Sequence, residues 1–238
     1  MTTTITTTPR RARLLFALAI TPLLRWAVAA HSVPDDQPWR TTCSCGQPLW
    51  AATTAPTGRC TGCGQRIGAP PYTVEAATPL AAVALALTGL NGWVLAAYAW
   101  WAATMIVLVF VDLAAMLLPL RISIASAAGF LGLLAVAGDQ HAWRRAAIAA
   151  VTLPVLLAIL AVLARGQLGW GDVAVAVPLA AALGWHSWHA VYAGVLLGFG
   201  SAALVAITLR KTGRLPRGAA LPLGPFLIGA ALTVVLWP

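Results

Sequence analysis

The chain has 238 residues, of which 60% are hydrophobic and only 9% are charged, with a mean hydropathy of +0.84. A water-soluble domain of this length carries far more charge, so the composition excludes a soluble globular protein and indicates an all-α polytopic membrane protein. The net charge of +9 does not indicate nucleic acid, because the basic residues lie mainly in short segments between apolar runs, where they orient membrane helices. We therefore expect a lipid bilayer, and no nucleic acid, as a partner.

The first apolar run follows a basic start, in the sequence PRRARLLFALAITPLLRWAVAAHS. A basic start, an apolar core and an Ala-x-Ala-like end are also typical of a cleaved signal peptide. Pro22 and Arg25 interrupt the apolar core, which favours a helix that is retained. We expect residues 1–30 to form an N-terminal segment and a first transmembrane helix, with a cleaved signal as the alternative.

Residues 31–78 form the one sizeable polar segment and contain all four cysteines, as Cys43-x-Cys45 and Cys60-x-x-Cys63. Two close pairs on glycine- and proline-rich turns suit a tetrahedral thiolate site, because each turn presents two sulfurs to the same ion. The first pair is one residue tighter than usual. We expect a small cysteine-rich cytoplasmic loop domain that binds zinc, with two disulfides or free thiols as the alternative.

The remaining residues, 79–238, are predicted to form a seven-helix membrane domain, so the chain would contain about eight transmembrane helices. Short polar or Gly/Pro breaks separate the apolar runs. Two runs, 79–90 and 173–185, are shorter than the about 20 residues that a span requires. The eight predicted runs are 14–30, 79–90, 93–111, 122–138, 146–164, 173–185, 189–209 and 221–237.

Two of the six carboxylates lie at the ends of apolar runs. Asp112 is embedded in MIVLVFVDLAAMLLPL, and Asp172 closes the glycine-rich stretch GQLGWGD. An ionisable group at membrane depth is costly unless it is paired or hydrated, so it marks a functional site by default. The alternative for each acid taken alone is a polar residue bonded to a neighbouring helix, or an acid at the membrane interface.

The order of the runs places the two acids on one face of the membrane. Two predicted runs separate Asp112 from Asp172, and two crossings return the chain to its starting face. Two carboxyl groups brought close share one proton, so one acts as a base toward water while the other polarises a carbonyl. This is the chemistry of aspartic peptidases, and we expect Asp112 and Asp172 to be the catalytic pair.

Glycines precede the second acid at Gly166, Gly169 and Gly171. Glycine lets the backbone turn tightly and lets a second backbone approach closely. We expect these three residues to form a loop along which a peptide substrate approaches Asp172.

Four blocks of the sequence resemble those of the type IV prepilin peptidases, a family of aspartic leader peptidases of the inner membrane. VDLAAMLLP resembles the family's first aspartate segment, and GQLGWGDVAVAVPLAAALGW resembles its Gly-x-Gly-Asp motif and following helix. The segment CSCGQPL…RCTGCGQRI…YTVEAAT is similar to the family's cysteine-bearing domain, including the position of Glu75, and LPLGPFLIGAAL is similar to its closing helix. The blocks occur in the family's order over residues 40–238.

The resemblance implies that Asp112 and Asp172 are catalytic and that the four cysteines bind zinc. It implies removal of the basic leader from a prepilin or pseudopilin, after a glycine, at the cytoplasmic face of the inner membrane. Many relatives also methylate the new N-terminus with S-adenosylmethionine, so the resemblance raises this second activity for the chain as well. The chain departs from the family's pattern at Ala114, Leu120 and Ala174, where acids and a lysine are common, so substrate choice and methylation are open.

The distribution of basic residues gives a second indication of orientation. If the cysteine loop and both acids face the cytoplasm, the segments on that side hold more arginine and lysine than the opposite segments, as the positive-inside rule requires. Arg10, Arg11 and Arg13 argue for the reverse orientation.

Two other functions compete with the peptidase. Ser201, in GFGSAAL, is the candidate nucleophile of a serine intramembrane protease, but no histidine lies on a suitable following helix, and helix packing through small residues explains Ser201 better. A small proton-coupled carrier, or an inactive assembly subunit, would use the same acids. That reading explains neither the glycine turn nor the cysteine loop.

Overall fold

The computed structural model describes residues 10–33, 38–163, 165, 168–216 and 221–237. Within these residues the chain is helical and has no β-strand beyond two isolated bridges, which confirms the predicted all-α class. The chain divides into two compact units, Met1–Pro119 and Leu120–Pro238. The predicted division at residues 30 and 78 stays a prediction.

The first unit contains α1 (Arg10–His31), α2 (Leu49–Ala52), α3 (Thr73–Leu87) and α4 (Gly92–Ala115). Helix α1 packs against α2, α3 and α4, and α3 packs against α4. The segment between α1 and α3, residues 38–72, contains α2 and all four cysteines, and we call it the cysteine module. Because a short turn joins α3 to α4, α4 runs back toward the end of the unit that carries the cysteine module.

Helix α4 buries one stripe of large side chains. Tyr98, Trp101, Met105 and Leu108 are fully buried, and their spacing of three and four residues places them on one face of the helix. The helix ends at Met116, which adopts the left-handed conformation with φ 52° and donates its backbone N–H to the carbonyl of Asp112 at 2.8 Å. This arrangement is a common helix C-terminus, although glycine is the usual residue there.

The second unit contains α5 (Leu120–Ala137), α6 (Gln140–Leu163), α7 (Trp170–His186), α8 (Trp188–Lys211) and α9 (Gly224–Leu236). Helix α7 is central, because it packs against α5, α6, α8 and α9. Its residues 178–184 are all buried. The run of alanines in α7 explains how several neighbours can approach it at once, since small side chains let helix backbones come close.

Glycines provide the closest helix contacts in this unit. A methyl group added at Gly184 would lie 2.7 Å from the Cβ of Ala149 on α6. One added at Gly194 on α8 would lie 2.5 Å from a methyl of Leu183 on α7. A larger residue at Gly184 would push α6 and α7 apart, whereas one at Gly194 would require the Leu183 side chain to move.

The sequence GDQHAWRR contains the turn between α5 and α6 and the first residues of α6, and its side chains also contact α7. Asp139 caps α6, because its Oδ1 accepts the backbone N–H of Ala142 at 2.9 Å. Trp143 donates its indole N–H to the carbonyl of Leu131 on α5 at 2.9 Å. Arg145 donates to backbone carbonyls at the C-terminal end of α7. Polar residues therefore join three helices at this turn.

Each of the eight predicted apolar runs corresponds to a helix. Four helices of the described chain are long and apolar enough to cross a membrane, namely α4, α5, α6 and α8. Helices α3 and α9 are apolar but shorter, with 15 and 13 residues. A membrane protein is thus confirmed, while the full number of about eight spans stays a prediction.

Candidate functional site

The structure brings the four predicted cysteine ligands together. All four Sγ atoms lie within 4.8 Å of one another, with Cys43 to Cys63 at 3.6 Å and Cys45 to Cys60 at 3.7 Å. A tetrahedral ion with metal–sulfur bonds of about 2.3 Å places its sulfurs about 3.8 Å apart. The cluster therefore fits a four-coordinate metal ion. The cysteines are free thiols in the structure and form no disulfide.

Two similar turns present the sulfurs. Cys43 donates its backbone N–H to the carbonyl of Gln47, and Cys60 donates to that of Gln65, both at 2.8 Å. The glycine before each glutamine has a positive φ, 84° in the first turn and 72° in the second, which glycine adopts without strain. Because these turns are local, the short spacing of the first pair still gives a usable geometry.

Two glutamines connect the turns, and the sequence analysis did not identify them. The Oε1 of Gln47 accepts the thiol of Cys60 at 3.3 Å, and its Nε2 donates to the hydroxyl of Thr61 at 3.2 Å. In the opposite direction, Ser44 donates its hydroxyl to the Oε1 of Gln65. The signal was present in the sequence, because Cys-Gly-Gln occurs at the second cysteine of each pair. Such hydrogen bonds outside the ligand sphere orient metal ligands.

The thiols affect one another's ionisation. The backbone N–H of Cys45 favours the Cys43 thiolate and lowers the pKa of Cys43 to about 6. The backbone N–H of Gln65 favours the Cys63 thiolate, but desolvation and the neighbouring sulfurs outweigh it and raise the pKa of Cys63 to about 11. Thiolates this close repel one another, and a bound dication would stabilise all four.

Asp112 lies in the last turn of α4 and is only 4% exposed. A carboxylate near a helix C-terminus is opposed by the helix dipole, and burial removes it from water. Local helix stability therefore does not explain an acid at this position.

Asp172 lies in the first turn of α7, three residues after the N-cap Gly169, and is half-buried. Its carboxylate accepts a hydrogen bond from the backbone of Gly169, so it caps its own helix and interacts favourably with the helix dipole. A methyl group at Gly169 would lie 3.2 Å from the Oδ2 of Asp172. Glycine at this position therefore leaves the carboxylate uncovered.

The other predicted glycines are placed differently. Gly171 lies within the first turn of α7 and is partly exposed, whereas Gly166 lies outside the described residues. Asp112 belongs to the first unit and Asp172 to the second. The catalytic pairing of the two acids therefore stays a prediction.

The contacts of Ser201 require no catalytic role for this residue. Its hydroxyl donates to the carbonyl of Gly198 within α8 at 3.1 Å, and the residue is exposed. The close helix contact of this segment is made by Gly198, where an added methyl would lie 2.8 Å from the side chain of Leu227. The prediction that helix packing explains Ser201 is therefore wrong for the serine itself, because the residue that packs is Gly198.

Comparison with known proteins gives a family match over a region that contains both Asp112 and Asp172. Residues 99–209 match the type IV leader peptidase family. The matched region runs from α4 through α8, so it contains both Asp112 and Asp172 and leaves out the cysteine module. No curated protein and no solved structure gave a match. The match therefore shows a region like the type IV leader peptidases over residues 99–209, which is slightly less than half of the chain.

Proposed function

We propose that the chain is a membrane aspartic endopeptidase that removes the basic leader of prepilin-like proteins. The observation that carries this proposal is the family match, which contains both Asp112 and Asp172. These acids end one apolar helix and begin another. The chain has only six carboxylates, and the matched region contains three of them: Asp112, Asp172 and the capping residue Asp139.

The order of helices supports a shared membrane face. Only α5 and α6 lie between the two acids, and both are long and apolar enough to cross a membrane. Two crossings return the chain to the face at which α4 ends. The same face carries the cysteine module, because α4 ends at that end of the first unit. We place this face in the cytoplasm, at the inner membrane, where the basic leader of a prepilin remains.

The proposed reaction needs no covalent intermediate. With one proton shared between the acids, the ionised member accepts a proton from water as the water oxygen attacks the scissile carbonyl. The protonated member donates a hydrogen bond to the carbonyl oxygen. As the tetrahedral intermediate collapses, the C–N bond breaks and the leaving nitrogen takes up the proton, so no net proton is gained or lost by the pair.

The glycines ahead of Asp172 support access of a peptide to this acid. Gly169 is exposed, and a side chain at this position would lie against the carboxylate. We infer that Gly169, together with Gly171 in the adjoining first turn of α7, lines the path along which the substrate backbone approaches. A glycine on the substrate side of the scissile bond would suit the same narrow approach. Methylation with S-adenosylmethionine rests on the resemblance alone, so we confine the proposal to hydrolysis.

We infer that the cysteine module binds a structural zinc ion through Cys43, Cys45, Cys60 and Cys63. Four sulfurs at tetrahedral distances, with two glutamines that connect the turns, support this assignment. Zinc would supply the folding energy that a segment this short cannot obtain from its own core.

The proposal is tested by coexpressing the chain with a prepilin and measuring leader removal on gels. We expect Asp112→Asn and Asp172→Asn each to lower the cleavage rate by at least about a hundredfold, the range that a positioned acid or base contributes. Asp139→Asn is the matched control, since asparagine caps a helix as well as aspartate does, and it should cleave normally.

Protein levels are compared in the same cells, because Asp172 also caps α7. Full cleavage by either acid variant would contradict the catalytic pair. If a variant instead lost a flux driven by a pH gradient while wild-type chain left the leader intact, a proton-coupled carrier would replace the peptidase.

A further inference from the structure

The last turn of α1 is part of the core of the cysteine module. One buried cluster combines two alanines of α1 with two of the metal-site cysteines and three apolar residues of the module, namely Ala29, Ala30, Cys43, Leu49, Ala52, Cys60 and Ile67. The carbonyl of Ala30 accepts the backbone N–H of Arg40 at 3.0 Å. A methyl group on Gly68 would lie 3.0 Å from the Cα of Ala29. The helix and the module therefore pack as one structure.

The same helix is joined to α3 by an ion pair between the buried Arg25 and the partly exposed Glu75. Arg25 is 2% exposed, and its Nε and Nη2 donate to the two carboxylate oxygens of Glu75, with the Nε bond at 2.7 Å. Its third nitrogen, Nη1, is buried and has no acceptor within the described residues. An ion pair whose buried member is incompletely satisfied adds little net stability, but it fixes how two helices are oriented.

The two attachments lie on neighbouring turns of α1. Arg25 precedes Ala29 by about one helical turn, and Glu75 lies in the first turn of α3, directly after the module. The position of α1 thus depends on the ion pair on one side and on the core around Cys43 and Cys60 on the other. A change that stabilises α1 at one attachment should also stabilise it at the other, because both attachments hold the same helix.

We propose that metal binding at the four cysteines is thermodynamically coupled to the Arg25–Glu75 pair, so that a bound zinc ion holds α1 against α3. The inference rests on the metal-binding part of the proposed function and is independent of the peptidase reaction. Coupling between two sites is reciprocal. Breaking the ion pair must therefore weaken zinc binding, and removing zinc must loosen α1 and the start of α3. The coupling also requires that α1 stays in the mature protein.

The test uses the full chain in lipid nanodiscs, with zinc alone as the ligand. Competition with a chelator gives the zinc affinity of the wild type, of Glu75→Gln and of Arg144→Gln. Arg144 is exposed on α6 and serves as the control for loss of one surface charge. We expect Glu75→Gln to weaken zinc binding by about tenfold, within the usual range of coupling between sites, and Arg144→Gln to leave it unchanged.

The reverse experiment needs no variant and decides the matter if Glu75→Gln does not fold. Zinc is removed from the wild type, and amide hydrogen exchange is measured by mass spectrometry. Exchange should rise about tenfold at residues 25–31 and 73–77, with no change in α8. Equal zinc affinity of Glu75→Gln and wild type, or unchanged exchange in α1 after zinc is removed, would overturn the coupling. A wild-type chain that takes up no zinc would overturn the metal site as well.

Discussion

Arg145 is predicted to hold the C-terminal end of α7, the helix that carries Asp172 at its other end. Its guanidinium donates to the carbonyls of Gly184 at 2.6 Å, His186 at 2.9 Å and Trp185. The last carbonyls of a helix have no partner within the helix, and they form its negative end. The Arg145 guanidinium, on the neighbouring α6, donates to these carbonyls and also places a positive charge at the negative end of the helix.

The expected loss follows from these contacts. A hydrogen bond from a charged donor contributes about 1.5 to 3 kcal/mol, and removing several bonds of one side chain is less than additive. Because Arg145 is partly exposed, water would replace some of the lost bonds. We expect Arg145→Met, which keeps most of the apolar stem, to lower the free energy of unfolding by about 2 to 3 kcal/mol.

The assay is reversible unfolding of the purified protein in mixed micelles, followed by far-ultraviolet circular dichroism as the denaturing detergent fraction rises. Arg144→Met is the matched control, because Arg144 lies on the same helix, carries the same charge and is exposed. Its effect should stay within about 0.5 kcal/mol. If the two variants unfold at the same detergent fraction, Arg145 does not hold α7 and the reasoning is wrong.

Two further predictions concern the second unit. Gly184→Ala should destabilise the contact of α6 and α7 by about 1 to 3 kcal/mol, because the new methyl meets Ala149 and the α6 backbone. Gly229→Ala has nothing within 4 Å and should be neutral or stabilising, so equal effects of the two in the micelle assay would contradict the packing. Asp139→Ala should lose about 1 kcal/mol of the same unfolding free energy through the cap on α6, whereas Asp139→Asn should restore it. A cap role is excluded if both variants unfold alike.

Hydropathy located the helices well but not their ends. The run predicted to begin at residue 79 is a helix from Thr73, because the polar residues Thr73, Glu75 and Thr78 interrupt the apolar pattern before residue 79. The four-residue α2 was not predicted, since a helix this short depends on the contacts around it rather than on its own sequence.

The parts of the candidate site that residues close in sequence form could be predicted. Spacing alone brought two cysteines onto each turn, and the structure confirms that the turns meet. The Arg25–Glu75 pair joins residues 50 positions apart, and no periodic pattern connects them. From sequence, Arg25 was only an interruption of an apolar run and Glu75 only an acid of the polar loop. Asp112 and Asp172 are still further apart in sequence, at 60 positions, which is why their pairing rests on helix order and on the family match.

The central claim is that Asp112 and Asp172 together hydrolyse one peptide bond of a prepilin. The most direct measurement is the mass spectrum of a prepilin incubated with the purified chain in lipid vesicles. We predict two products, cut at the single bond after the glycine that ends the basic leader, and no product from the chain that carries both Asp112→Asn and Asp172→Asn. An intact prepilin with the wild type, or the same two products from the doubly substituted chain, would contradict the account.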